Sequence, residues 1–328
     1  MRALTIGLLL LTTVLSQTTA EAQSIAWPAF GPERNLLRFD GFTDTLPDFI
    51  GPIDGSAELT IFTEGNHYPV LLPLVLQRFP QWCREHQACE VDPARTLVVT
   101  LPQPMIVRML RDGGIALGNA VLPVGPDKPV FPDLVMGGVA PLHQLREAGV
   151  VEARARVFAH SRGMAMLLSR RYDAVADLEQ FSRQGARLIV ASPSEPGARQ
   201  QYHDTATALL GEPRTVDMFS HEVASFSGRL GIQHRDVPYA LINGLADGGL
   251  IFSHLARFYA AAFPDRLRLV VVPGAERFGQ DIAMARTVRA RSPLAATFER
   301  FFLETARTAY PEGGFADLGD SFGRNIDL

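Results

Sequence analysis

The sequence predicts an α/β fold in which parallel-rich sheets are flanked by helices. Three observations carry that expectation. Short β-rich apolar runs alternate with helix-length segments from about residue 57 onward, the order that lays crossover helices on the faces of a parallel sheet. Several runs end in a polar or Gly/Pro corner just before a helix begins, as at Thr63-Glu64-Gly65-Asn66-His67. Roughly 300 residues remain after an N-terminal leader, enough for one large core or two ordinary ones.

The first segment reads as an export signal. Arg2 gives a positive start, Ala3–Leu15 is apolar, and Ala20-Glu21-Ala22 is a small-x-small cleavage motif. The run is too short for a comfortable membrane span. Residues 1–22 are expected to be a signal peptide, with a soluble mature chain starting near Gln23 in the periplasm. No cysteine follows the apolar run, so a lipid anchor is not indicated. No later stretch reaches the ~18 apolar residues of a spanning helix. Residues 23–56, with Pro28, Pro32, Pro47, Pro52, Gly31, Gly51 and Gly55, read as an irregular leader.

The elements then follow in order. Leu59–Phe62 is a strand, and Val70–Phe79 a helix that can hold Pro73 in its first turn. Thr96–Leu101 is a strand and Met105–Arg111 a helix. Asp133–Met136 is a strand leading through Gly137-Gly138 to a helix over Leu142–Ala148. Arg156–Phe158 and Met164–Leu168 read as one long strand crossing between lobes. Arg187–Ala191 is a strand and Gly197–Leu210 a helix. Val237–Ile242 and Gly249–Phe252 are apolar, Leu267–Val272 is strongly β, and Leu294–Ala309 is a closing helix before a tail at 319–328.

Ligands of such sheets sit beyond the carboxyl ends of the strands, so each strand-end corner is a candidate wall. At the first, Thr63, Asn66 and His67 can offer a hydroxyl, an amide and an imidazole beside the unpaired N–H groups of a helix start. The second holds Gln103 between Pro102 and Pro104. The third, Gly137-Gly138, would let a ligand approach the backbone. The fourth offers Ser192 and Ser194, then Pro196 in a first helical turn and the free amides of Gly197 and Ala198. The fourth corner, taken alone, is also readable as a well-capped helix and nothing more.

Charge and cysteine usage narrow the field. The net charge of −4 gives no electrostatic reason to expect nucleic acid. Lys128 is the single lysine, so basic charge is almost all arginine. Cys83 and Cys89 flank His86 in a C-x2-H-x2-C spacing. In an exported chain a disulfide is the plain reading; copper or zinc would find only two thiols and one imidazole there. The other histidines lack zinc-site spacing, so no metal is expected.

Taken in order, these segments resemble the type 2 periplasmic solute-binding proteins, closest in layout to their molybdate-binding class. The resemblance rests on Leu59-Thr60-Ile61-Phe62 entering its polar corner and on Phe131-Pro132-Asp133-Leu134-Val135 before a Leu-rich helix. It continues in Arg156-Val157-Phe158-Ala159-His160-Ser161-Arg162-Gly163-Met164, in Ala191–Gly197, in Gly244-Leu245-Ala246-Asp247-Gly248-Gly249-Leu250-Ile251-Phe252, and in the closing helix with Gly314-Phe315. It spans most of residues 57–318. It implies two lobes, 57–153 plus 268–318 and 154–267, with a small polar or anionic solute, an oxyanion or small carboxylate, held in the cleft between them. It also implies a monomer without a cofactor that serves an ABC transporter permease or a membrane sensor; an accessory role to a redox enzyme would leave the same sequence. With the corners above, the expected ligand contacts are Thr63, Asn66, His67, Gln103, Gly137, Ser192, Ser194, Gly197 and Arg235.

Two departures stand out. Molybdate binders usually offer small or hydroxyl residues at the first corner, where this chain has Glu64, Asn66 and His67. A Glu64 carboxylate facing the cleft would repel an oxyanion. The segment Gln233-His234-Arg235-Asp236-Val237-Pro238 is similar instead to a less characterised branch in which His-Arg-acid-x-Pro recurs. Arg235 there is either a clamp for a carboxylate or oxyanion, or half of a local surface pair with Asp236.

An enzyme reading competes. Ala159-His160-Ser161-Arg162-Gly163 imitates a nucleophile elbow, Asn243–Asp247 an acid-bearing loop, and Val272–Phe278 the loop that should carry a catalytic histidine. That place is Glu276, and no histidine follows His254. Without an imidazole to take the proton of Ser161, a Ser-His-Asp mechanism with Asp247 lacks its base, unless His160 or His203 serves. Binding rather than catalysis is therefore expected.

Overall fold

The computed structural model describes residues 49–87, 89–117, 120–193, 195–225 and 233–328. The expected signal peptide, most of the leader and Ser194 lie outside the described residues.

Two sheets organise the chain. The larger has seven strands in the order β1 (Phe49–Ile50), β3 (Thr96–Leu101), β2 (Leu59–Glu64), β6 (Leu134–Gly138), β12 (Asp281–Thr287), β7 (Val151–His160) and β13 (Asn325–Asp327). The smaller has four: β11 (Leu267–Val270), β8 (Met164–Ser169), β10 (Gly248–Phe252) and β9 (Leu188–Ile189). A separate antiparallel pair joins β4 (Gly114–Leu117) and β5 (Ala120–Pro123). Ten helices accompany them among the described residues: α1 (Tyr68–Pro73), α2 (Phe79–Trp82), α3 (Gln103–Asp112), α4 (Val139–Glu147), α5 (Leu178–Ser182), α6 (Pro196–Leu210), α7 (Glu212–Ser220), α8 (Asp236–Ile242), α9 (Ser253–Ala262) and α10 (Leu294–Glu312).

The apolar strands are buried on both faces, which is why they read as continuous runs. Ile61, Val98 and Leu134 enter one core cluster, while their neighbours Phe62, Val99 and Val135 enter the other. That is the period-2 split of a sheet covered on both sides. β2 runs parallel to both β3 and β6, pairing Glu64 with Leu101 and Thr63 with Met136. The register therefore brings three strand ends, and the helix starts that follow them, to one edge of the sheet.

The residues expected to form one long crossing strand form two. β7 belongs to the larger sheet and β8 to the smaller, separated by Ser161–Gly163. The turn needs glycine: Gly163 has φ +70°, and a Cβ there would fall 2.0 Å from the Ala275 carbonyl oxygen. The chain returns through residues 271–280 into β12. These two crossings are bonded together, Ser161 N donating to Gln280 O at 2.9 Å and Gln280 N to Ser161 Oγ at 3.0 Å. Sheet membership thus changes at 161–163 and 271–280, whereas the sequence placed the divisions at 153/154 and 267/268. The expected tail is likewise not free at its end, because β13 pairs antiparallel with β7.

The helical run after β2 is longer than expected. α1 and α2 are joined and extended by wider turns through Gln87, where Pro73 and Pro80 withhold backbone N–H groups. Its end is closed by the Cys83–Cys89 disulfide. Phe79, Phe298, Phe301, Phe302, Phe158 and Tyr310 form the aromatic centre under the larger sheet.

Candidate functional site

The edge where the three strand ends meet faces the smaller sheet across a cavity of about 340 Å³. Its first wall comes from the ends of β2, β3 and β6: Glu64, Gly65 and Asn66, then Pro102–Pro104, then Gly138–Pro141 with Gln144. The opposite wall is the start of α6 (Glu195, Gly197, Ala198, Gln201) and the segment Gln233–Arg235, with Phe252 from β10. Gln280, from the second crossing, closes one side. First turns of α3, α4 and α6 all line the space. Such turns carry unpaired N–H groups and a partial positive charge.

The side chains at the walls are mostly fixed. Gln103 Oε1 accepts from Gly138 N at 3.0 Å, and its amide occupies the space beside Gly137, where a Cβ would fall 1.9 Å from Nε2. Arg235 is buried; its guanidinium donates to the Thr100 carbonyl at 2.8 Å, to Thr100 Oγ1 at 3.3 Å and to Gln233 Oε1 at 3.4 Å. Glu195 Oε2 lies 2.6 Å from His234 Nδ1, and His234 Nε2 lies 2.5 Å from the Tyr202 hydroxyl. Gln201 donates to the Phe278 carbonyl.

Glu64 differs from these. No hydrogen bond or ion pair reaches its carboxylate among the described residues. Burial, and then the charge of Glu195, push its pKa up to about 7. His254, behind it, has its pKa lowered to about 3, chiefly by burial, and its Nε2 sits 2.9 Å from the Asn66 carbonyl oxygen.

The expected contacts divide sharply. Asn66, Gln103, Gly197 and Arg235 line the cavity. Thr63 and His67 do not: both are fully buried, linked through Thr63 Oγ1–His67 Nε2 at 2.5 Å and His67 Nδ1–Tyr310 OH at 2.6 Å. Burial lowers the His67 pKa to about 3, so its ring is a neutral core group. Gly137 admits the Gln103 side chain rather than a ligand. Ser192 is buried beneath the corner, where its carbonyl accepts from Glu195 N at 2.9 Å. Arg235 is no surface partner of Asp236, since both are buried.

The residues missed in sequence are Gln144, Glu195, Gln201, His234, Phe252 and Gln280. A signal existed for two of them. Gln144 and Gln201 stand four residues after Ala140 and Gly197, so they share the face of those helix starts. Glu195 and His234 are 39 positions apart, and only the fold brings them together.

The segment that imitates an elbow is the turn between β7 and β8, and its expected partners are elsewhere. β8 and β10 are antiparallel, with Phe252 opposite Met164 and Gly248 opposite Leu168. Asp247 and Ser161 therefore lie at opposite ends of that pair, more than about 13 Å apart at roughly 3.3 Å per residue. Asp247 is held by Arg187 through bonds of 2.7 and 3.1 Å. His160 is engaged with Asp281 at 2.7 Å. Both thiols of the C-x2-H-x2-C segment are consumed by the disulfide. Among the described residues no three His, Cys, Asp or Glu side chains gather as a metal site would need.

A cavity at converging helix starts, between two sheets joined by paired crossings, defines a solute-binding class of protein. Residues 131–316 match the family model of the bacterial extracellular solute-binding proteins. The chain belongs to that family. Its fold is similar to the sulfate-binding protein SubI of Mycobacterium tuberculosis H37Rv, with TM-score 0.54, 14% identity, and 79% of this chain and 86% of that one covered. The periplasmic molybdate-binding protein of Azotobacter vinelandii gives TM-score 0.54, 14% identity and coverages of 79% and 98%. Iron-bound HitA of Pseudomonas aeruginosa gives 0.51, 14%, 79% and 86%. At such identities the likeness is one of fold. No curated protein matches the chain. No helix among the described residues is long and apolar enough to cross a membrane.

Proposed function

We propose that this chain captures a small polar solute with a carboxylate or oxyanion group in the cavity between its lobes, and presents the closed form to an ABC-type permease or membrane sensor. The observation that carries this reading is the convergence of the first turns of α3, α4 and α6 on one cavity. Unpaired N–H groups and aligned dipoles there favour a negative group. The volume is at the lower end for small-molecule sites, and a bare tetrahedral oxyanion would leave much of it unfilled. The lobes are the two sheets with their helices, and the hinge is the bonded pair of crossings at 161–163 and 271–280. Closure follows from a ligand that touches both walls and so binds the closed state better. The contacts are Asn66, Gln103, Gln144, Gly197 and Gln201, with Arg235 holding the walls together.

Thermal unfolding against a panel of small carboxylates and oxyanions tests the reading. A ligand at a hundred times its Kd should stabilise the protein by about 3 kcal/mol. Gly197→Leu is the control: a Cβ at Gly197 meets nothing within 4 Å, so the variant should fold and lose the response. Ligand shifts as large in Gly197→Leu as in the natural chain would place the site elsewhere.

A further inference from the structure

We propose that the solute is zwitterionic, with an N–H-bearing cation, an ammonium or guanidinium, seated against Glu64 where the cavity meets a smaller chamber; this rests on the capture reading of the same cavity. A small chamber of about 30 Å³ adjoins the cavity. Glu64, Gly138, Phe252 and Gln280 line both spaces, and Ser161, His254, Asp281 and Ile282 line the chamber alone.

Two acceptors at the chamber, His254 Nδ1 and the Glu64 carboxylate, receive no donor among the described residues. His254 Nε2 faces the Asn66 carbonyl, which can only accept, so the ring hydrogen sits on Nε2. In a neutral ring Nδ1 is then a bare acceptor. It is buried, with no hydrogen-bond partner among the described residues, in a side chain only 3% exposed. Glu64 adds a carboxylate with no partner among the described residues.

The charged and titratable groups facing Glu64 do not offset it. They are Glu195, His234, His254, Asp281, Tyr202, Tyr310 and Arg235. Asp281 and Glu195 are acids. Asp281 is engaged by His160 and Arg324, and Glu195 by His234. Arg235, the fixed cation, is directed at Thr100 and Gln233. A water could serve His254 Nδ1 but would leave the charge of Glu64 uncompensated. A primary ammonium or guanidinium supplies both the donors and the charge. The other end of the ligand, the anionic group of the capture reading, then lies toward the helix starts.

Matched pairs of ligands test this by calorimetry at pH 8, where Glu64 is ionised. β-Alanine, γ-aminobutyrate and arginine are set against propionate, butyrate, sulfate and molybdate, with glycine betaine as a cation lacking N–H. At least one amino acid should bind ten or more times tighter than its deaminated partner and than betaine. Glu64→Gln should erase that preference while its circular dichroism and melting remain cooperative. If Glu64→Gln does not fold, Glu64→Asp, which withdraws the carboxylate, should weaken the amino acid at least fivefold. Deaminated acids, betaine or oxyanions binding as tightly would overturn the cation while leaving capture intact. Silence from every compound would overturn both.

Discussion

The two walls of the cavity treat charge in opposite ways. On the smaller-sheet side each ionisable group has a neighbour: Glu195 meets His234, His234 meets Tyr202, and Arg235 reaches across to Thr100. On the larger-sheet side the amide of Gln103 is fixed to Gly138, but the carboxylate of Glu64 stands alone. A polar group is costly to bury unless it is paired. One wall is therefore preorganised, and the other carries an imbalance that a bound solute can relieve. The lesson is that the unpaired group, not the richest network, marks where recognition remains to be completed.

The strongest way to break that contrast is at Arg235, the group that joins the walls. Arg235→Met should destabilise the protein by about 3 kcal/mol, because it strips a charged donor from a buried carbonyl. The midpoint of urea unfolding reads this directly. A change near zero would mean that the walls are held together by packing alone.

Glu64→Gln should do the reverse. The folded-state pKa is raised from 4.5 to about 7, so between those values the folded chain holds a proton that the unfolded chain has released. Stability from this group therefore falls as pH rises from about 4.5 to 7 and stays low above it. Relative to the natural protein, Glu64→Gln should gain nothing at pH 4.5 and about 1–3 kcal/mol at pH 8, water reaching the half-buried carboxylate reducing the full effect. Equal stability of the two at pH 8, without ligand, would show that Glu64 is compensated after all.

Much of this frame was legible in the chain, for identifiable reasons. β2, β3 and β6 each carry an apolar centre because both faces are covered, and the starts of α3 and α6 are announced by Pro104 and Pro196. β12 was not legible. Asp281–Thr287 contains Ala283 and Ala285, weak β-formers, and is a strand because β6 and β7 pair with it on both sides. The corner after β2 shows the sharper limit. Thr63, Glu64, Asn66 and His67 are all polar and nearly adjacent, yet the first and last turn into the core and the middle two toward the cavity. Direction at a strand end depends on the turn, and no residue type reports it. Tyr310, which satisfies His67, is 243 positions away.

A smaller effect tests the paired wall. Tyr202→Phe removes the hydroxyl 2.5 Å from His234 Nε2 and leaves that nitrogen buried. The expected loss is about 1–2 kcal/mol, with the ring of Phe252 still stacked on His234 at 4.9 Å between centroids. Because Glu195 depends on the same imidazole, Tyr202→Phe and Glu195→Gln should be non-additive in a double-mutant cycle. Additive losses would dissolve the network into separate contacts.

The smallest effect concerns the fixed amide of the other wall. Gln103→Ala leaves Gly138 N without its acceptor at a site water can enter, so the loss should be about 1 kcal/mol. The same side chain also excludes any Cβ at Gly137, where one would fall 1.9 Å from Nε2. Gly137→Ala alone should therefore displace Gln103 and cost a similar amount. Once Gln103 has been cut back to alanine, the Cβ has room, and the second substitution should cost almost nothing. A cycle over the two positions then reads whether Gly137 exists to seat Gln103 or to let a solute reach the backbone. Coupling close to the single-mutant cost favours the first. Independent losses, with ligand affinity falling in Gly137→Ala regardless of residue 103, would return Gly137 to the binding surface.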